Sequence, residues 1–154
     1  MPTIQPEPLD GPAAQQLIAA LNAELSGRYP EAGANHFRLD VAEVGPGRGA
    51  FLVACDGDRP IGCGAVRKLD PATAEIKRMF VVPDRRGQGV GGLILEALEA
   101  EARALGVTRL VLETGVRQPD AIALYGQRGF TRIPPFGEYV DSTLSVCMGK
   151  TLAT

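Results

Sequence analysis

Arg86-Gly87-Gln88-Gly89-Val90-Gly91-Gly92 separates two runs of different character: Met79-Phe80-Val81-Val82-Pro83, apolar and strand-like, and Leu93 to Leu105, strongly helical. A glycine-rich turn that feeds a helix N-terminus is an anion site. The first amide N–H groups of a helix have no intrahelical acceptor and sit at the positive end of its macrodipole, and glycines let phosphate oxygens come close to that backbone. The segment therefore predicts a phosphate-bearing cofactor held by main-chain groups from Gly87 to Gly92, with Arg86 capping the loop and Arg85 as an auxiliary charge.

Gly87, Gly89 and Gly92 also fit the Gly-x-Gly-x-x-Gly spacing of dinucleotide-binding turns, and Glu113 follows at about the distance where such turns carry an acidic residue. Three features oppose that assignment. Pro83-Asp84-Arg85-Arg86 stands between the strand and the glycines, and proline cannot donate to a strand ladder. Too little chain follows Gly92 for the remaining parallel strands, and Glu113 lies within Leu110-Val111-Leu112-Glu113 rather than past its end. No Lys-Ser/Thr pair follows the glycines, so the phosphate-loop pattern is absent too.

Outward from this segment, Pro12 to Ser26 carries Leu17, Ile18, Leu21 and Leu25 at helical spacing, with Gly27 able to close the helix. Gly33 to Pro46 is irregular, with a short helix left open. Phe51 to Cys55 and Ile61 to Val66 flank Asp56-Gly57-Asp58-Arg59-Pro60 and predict a hairpin, because Asp-Gly supplies the positive φ of a tight turn. A third strand runs from Ala74 to Val82, and simple alternation puts Glu75, Lys77 and Met79 on one face and Ile76, Arg78 and Phe80 on the other. Leu93, Ile94, Ala97, Leu98, Ala102 and Leu105 define one helical face that stops at Gly106. A buried strand at Leu110 to Thr114, a helix at Pro119 to Arg128 and a last strand at Leu144 to Met148 complete the pattern. The fold class is α/β: a mixed sheet with helices on both faces, in which the glycine helix crosses over right-handedly between parallel strands.

The 154 residues are expected to form one domain that buries about two-thirds of its unfolded surface. A formal charge of −2 supplies no whole-chain field toward nucleic acid or an anionic membrane, so neither is an expected partner. Met1 to Ala20 lacks the pattern of a secretory leader and no long apolar run appears, which predicts a soluble, cytoplasmic protein. Cys55, Cys63 and Cys147 lack Cys-x-x-Cys spacing and His36 is the single histidine, so neither a disulfide framework nor a metal site is expected. With no Cys-His pair in view, Cys63 and Cys147 are expected to be inert core thiols.

Arg86, Gly89 and Gly91 match Gln/Arg-x-x-Gly-x-Gly/Ala, and Ala121-Ile122-Ala123-Leu124-Tyr125-Gly126-Gln127-Arg128-Gly129-Phe130 matches Ala-x-x-Leu-Tyr-x-x-x-Gly-Phe. In this order, with a strand between, the two motifs resemble the GNAT superfamily of N-acetyltransferases over about Phe51 to Thr131. The resemblance implies a mostly antiparallel sheet whose central parallel pair splays at Met79-Phe80-Val81 and Glu113-Thr114-Gly115. It implies acetyl-CoA as cofactor, with its pantetheine arm between those strands and contacts from Met79, Phe80, Val81, Arg86, Gly87, Gln88, Gly89, Val90, Gly91 and Gly92. Gln118, followed by Pro119, stands where many members have an asparagine that contacts pantetheine, so the amide is kept with a different reach.

The same resemblance makes Tyr125 the general acid for the departing thiolate and excludes an acyl-enzyme, with oxyanion stabilisation from the Val81 amide. Glu113, twelve residues before Tyr125, is similar in spacing to the glutamate base of ribosomal-protein N-terminal acetyltransferases; Glu75 is the competing base and an ion pair with Arg117 or Arg109 the structural alternative. Acceptor selectivity in such a fold is expected from Arg28, Tyr29, His36, Arg78 and Tyr139. Arginine pairs bidentately with carboxylate and aromatic rings cover an apolar body, which points to a small primary amine carrying a carboxylate, such as an amino acid. A protein or peptide N-terminal acetyltransferase, a CoA-binding module without turnover and a nucleotide-dependent oxidoreductase are the rivals, and a homodimer is left open.

Overall fold

The computed structural model describes residues 2–152. In chain order the elements are β1 (Thr3–Pro6), α1 (Pro12–Arg28), β2 (Gly49–Asp56), β3 (Arg59–Asp70), β4 (Thr73–Val81), α2 (Val90–Ala104), β5 (Arg109–Gly115), α3 (Pro119–Gln127), β6 (Thr131–Arg132) and β7 (Ser145–Thr151). The strands form one sheet in the order β1-β2-β3-β4-β5-β7-β6. β4 and β5 run parallel, joined by the α2 crossover, and the other neighbours are antiparallel. Among the described residues no helix is long and apolar enough to cross a membrane.

Period-two alternation sorts the strand side chains between two helical layers. Leu52 and Ala54 of β2 join Val66, Ile76, Leu110 and Leu112 in a cluster capped by Val90, Ile94, Leu95 and Leu98 of α2 and Tyr125 of α3. Phe51 and Val53 point the other way, to Leu17 and Leu21 of α1 and to Cys63, Ala65 and Phe80. Burying each large side chain of this kind contributes about 1.5–3 kcal/mol. The helices thus lie on both faces, as the apolar spacing predicts. β1 and β6 escape the sequence reading because one is a four-residue edge strand ending in Pro6 and the other is two residues long.

Two departures from a regular sheet prepare the site. First, β4 and β5 pair only from Thr73↔Arg109 to Ile76↔Leu112, and beyond that rung they part. Second, the β3–β4 register jumps from Cys63↔Phe80 to Ala65↔Lys77, a bulge centred on Arg78. Arg78 has φ 59°, the single non-glycine residue with positive φ among the described residues. One extra residue in a strand reverses the alternation beyond it. The expected grouping of Met79 with Glu75 and Lys77 is therefore corrected: Phe80 packs on the α1 side, while Met79 and Val81 turn toward the α2 side. Lys77 and Arg78, consecutive in sequence, both line the cavity beneath Leu21 and Leu25 of α1.

Candidate active site

The turn before α2 is built by glycines in two ways. Gly87 (φ 76°) and Gly89 (φ 84°) occupy the left-handed region, which other residues enter only at a cost. Gly91 and Gly92 are needed for close packing: a Cβ on Gly91 would lie 3.1 Å from Leu124 of α3, and one on Gly92 would overlap the Arg128 guanidinium. Gly89 is the N-cap and supplies no side-chain acceptor, so the first amides of α2 are left open toward a groove. That groove is a cavity of about 550 Å³ lined by the glycine turn, by 79–81 of β4 and by 117–121 at the start of α3. Arg86 braces its rim, donating from Nε to the Val81 carbonyl and from its guanidinium to Glu24, both at 2.8 Å.

The ladder geometry shows where the unpaired main chain points. Val82 N–H donates to Ile61 at 2.9 Å, which makes the next rung, Gly62↔Val81, a non-hydrogen-bonded one. The Val81 amide is therefore aimed away from β3, into the gap that opens toward β5. On the facing strand the Gly115 amide is taken by Gln118 Oε1 at 3.1 Å, leaving the Gln118 NH2 as the group with reach into the groove.

A second cavity of about 120 Å³ adjoins the groove and is closed by α1, the 34–37 segment, Lys77, Arg78, Glu113 and Tyr139. Tyr125 lines both spaces. Its ring packs edge-on to Phe130 at 5.9 Å, and its hydroxyl makes no hydrogen bond with a described residue. Burial, and after it the negative Glu113, push the phenol above its ordinary pKa, so it stays protonated. Glu113 accepts a 2.6 Å hydrogen bond from Ser145 Oγ rather than an ion pair, since Arg117 is held by Glu31 at 2.8 Å. Burial raises the Glu113 carboxyl, opposed by Ser145, His36 and Lys77. Glu75 is 1% exposed and its two oxygens are occupied, one by Arg67 at 3.0 and 2.8 Å, the other by the Tyr139 hydroxyl at 2.6 Å. Glu75 is thus a buttress, and Glu113 is the carboxylate with an open side.

Residues 14–130 match the family model described as the acetyltransferase (GNAT) family. The chain belongs to the GNAT acetyltransferase family. It is 43% identical over 141 residues, 91% of each chain, to an IAA acetyltransferase of Azospirillum brasilense. A solved structure from Klebsiella pneumoniae subsp. pneumoniae, described as an acyl-CoA N-acyltransferase, matches with TM-score 0.86 and 34% identity over 99% of each chain. A GNAT acetyltransferase of Elizabethkingia anophelis, solved with acetyl-CoA bound, shares the fold at TM-score 0.70 and 22% identity over 98% of each chain. The protein is accordingly an N-acetyltransferase with acetyl-CoA as its donor.

The groove of this GNAT acetyltransferase fits that donor: open helix amides for phosphate, then parted strands whose main chain can satisfy an amide-rich arm. Of the residues expected to hold it, Met79, Phe80, Val81, Arg86, Gly87, Val90 and Gln118 line the groove together with Gly89, Gly91 and Gly92, and Arg85, although paired with Asp56 at 2.7 Å, joins them. Gln88 does not line it; its side chain turns back to the Asp84 carbonyl at 3.3 Å. Among the expected acceptor residues, Arg28 lines the donor groove, whereas Tyr29, His36, Arg78 and Tyr139 line the smaller cavity. Two of these have committed hydroxyls. Tyr139 donates to Glu75, and Tyr29 accepts from the Arg117 amide at 2.9 Å and packs where Gly115 has no Cβ, fastening α1 to the β5–α3 loop. Lys77, Asn22 and Ser145 were not foreseen; Asn22 accepts a hydrogen bond from Arg78, and only the fold brings these positions to the site.

Proposed function

We propose that the protein transfers the acetyl group of acetyl-CoA directly to the primary amine of a small molecule that also carries a carboxylate. The observation that carries this reading is the position of Tyr125 where the donor groove meets the smaller cavity containing Glu113. The bound donor supplies a thioester carbonyl open to attack and a thiolate leaving group. Tyr125, protonated throughout the working range, offers its hydroxyl to the leaving sulfur, and the Val81 amide is aimed to hold the carbonyl oxygen. Glu113, ionised above its raised pKa, takes a proton from the incoming ammonium, and Ser145 fixes the carboxylate's orientation. The small volume of the acceptor cavity favours a metabolite over a peptide chain.

Acetyl-CoA near a hundred times its Kd is expected to stabilise the fold by about 2.7 kcal/mol, a rise in Tm of roughly 5–10 °C. NAD and ATP should give no such rise. The reading fails if they stabilise the protein and acetyl-CoA does not, and its direct-transfer element fails if the chain becomes stoichiometrically acetylated when no amine is present.

Glu113→Gln tests the base. Because burial raises this carboxyl, activity should fall as pH drops through its raised pKa, producing an acid limb above the ordinary carboxylate range. The substitution is expected to remove that limb and lower kcat/KM about tenfold at neutral pH, with partial recovery at alkaline pH where the free amine needs no base. An unaltered pH–rate profile would transfer the role to bulk water.

A further inference from the structure

Lys77 and Arg78 are an unusual pair. Both are more than nine-tenths buried, and neither forms an ion pair among the described residues. Lys77 Nζ is buried with no hydrogen-bond partner among the described residues, and Lys77 lines the acceptor cavity. Arg78 bonds Asn22 and lies 4.9 Å over the Phe37 ring. An ammonium group withdrawn from water and left unpaired is costly, and such groups in folded proteins find an anion, a water or a ligand. Among the described residues no carboxylate lies within ion-pair distance of either cation: Glu75 is held by Arg67 and Tyr139, one oxygen of Glu113 by Ser145, and one of Glu138 by His36 Nδ1 at 3.1 Å.

The bulge is what brings the two cations together. In a regular strand consecutive side chains point to opposite faces, but the left-handed backbone of Arg78 keeps Lys77 and Arg78 on one face. A bulky residue held in that region is strained, and strain of this kind marks functional sites. Cys63 Sγ donates to the Arg78 carbonyl at 3.3 Å and helps hold the bulge. His36 adds a third group: its ring meets Tyr139 edge-on at 5.0 Å, Lys77 Nζ lies 6.0 Å over the same Tyr139 ring, and His36 Nε2 is likewise buried with no partner among the described residues.

We infer that Lys77, Arg78 and His36 form a carboxylate subsite of the acceptor cavity, so that acceptors are amines read by a negatively charged group as well as by the reacting nitrogen. This rests on the proposed acetyl transfer to a small amine and specifies what selects it. A carboxylate at this place pairs with Lys77 Nζ and Arg78. It also gives the buried His36 Nε2 a hydrogen-bond partner. The amine would then lie toward Glu113 and Tyr125, which share the cavity.

The test has a binding arm and a turnover arm. Propionate and butyrate are titrated into the CoA-saturated protein by calorimetry and melting, with propylamine and propanol as controls. The carboxylates should bind saturably and the controls should not; Lys77→Met should lose this response and Lys77→Arg should keep it. Lys77→Gln stands in if the methionine variant fails to fold. In turnover, amino carboxylates should outperform the amines that lack the carboxylate by about tenfold or more in kcat/KM, through KM, in line with a charge-assisted hydrogen bond, and Lys77→Met should erase the preference. Equal carboxylate binding by wild type and Lys77→Met, or none by wild type, overturns the subsite. Carboxylate binding that depends on Lys77, with no acetylation of any amine in the panel, upholds the subsite and instead overturns the acetyl-acceptor reading on which it was built.

Discussion

Gly89→Asp should abolish acetyl-CoA binding while leaving the fold intact. Gly89 caps α2 in the left-handed region, and a Cβ there would meet no described atom within 4 Å. Aspartate is a good N-cap residue and one of the few that tolerates left-handed backbone, so the helix should lose little. What changes is the donor site. The carboxylate would occupy the space the open amides reserve for phosphate, and like charges a few ångströms apart near a surface repel by about 3–4 kcal/mol, so Kd should rise at least a hundredfold or so. Gly89→Asn separates charge from bulk, since it has nearly the same shape and αL tolerance, and its loss should be smaller. Calorimetric titration of folded variants decides the matter. A Kd for Gly89→Asp within threefold of wild type would move the phosphates away from the α2 N-terminus.

That site was readable because its determinants are local. A strand, a proline, four glycines and a helix follow one another within about twenty residues, and each residue's contribution depends on its own backbone or on its immediate neighbours. The same holds for Tyr125, which the Leu-Tyr motif places on a helix one turn before the Gly129 turn. Even there the physical reasons divide in a way that the letters do not show. Gly87 and Gly89 are required by φ, whereas Gly91 and Gly92 are required by what packs against them, Leu124 and Arg128 from the distant α3 segment.

The acceptor cavity was less legible because it is assembled by long-range register. Lys77 and Arg78 read as residues on opposite faces of a strand, and only the mismatch between Cys63↔Phe80 and Ala65↔Lys77 puts them together. Nothing within the strand announces the bulge, since no glycine or proline marks it. His36 belongs to an irregular segment without a periodic pattern, and its place is set by Tyr139 and Glu138, about a hundred positions away in the chain. Glu113 was the preferred base from its spacing to Tyr125 and Glu75 its competitor, and what separates them in the fold, the Arg67 and Tyr139 partners of Glu75, lies on two other segments of the chain.

Tyr125→Phe should lower kcat by about a hundredfold, within the range attributed to a positioned general acid, and leave acetyl-CoA affinity within a factor of about three. The hydroxyl makes no hydrogen bond with a described residue, so removing it orphans no partner, and the ring can keep its edge-on contact with Phe130. Stability should therefore change little, which makes a fall in turnover attributable to the missing proton donor. The pH dependence sharpens the test. Burial and Glu113 hold this phenol above its ordinary pKa, so it is protonated at every pH where the enzyme is assayed, and its loss should depress the profile evenly without removing a limb. Glu113→Gln does the opposite and removes the acid limb, so the two variants have distinct signatures although both side chains line one cavity. A raised pKa also limits what Tyr125 can do. A phenol above its ordinary value is a weaker acid than a thiol, whose pKa is about 8.5, so full proton transfer to the sulfur is uphill unless Glu113 passes on the amine's proton in the same event. Tyr125→Phe and Glu113→Gln should therefore be non-additive, with the double variant little worse than Tyr125→Phe alone. Unchanged kcat in Tyr125→Phe would take the residue out of the reaction, and full additivity would separate the two proton transfers.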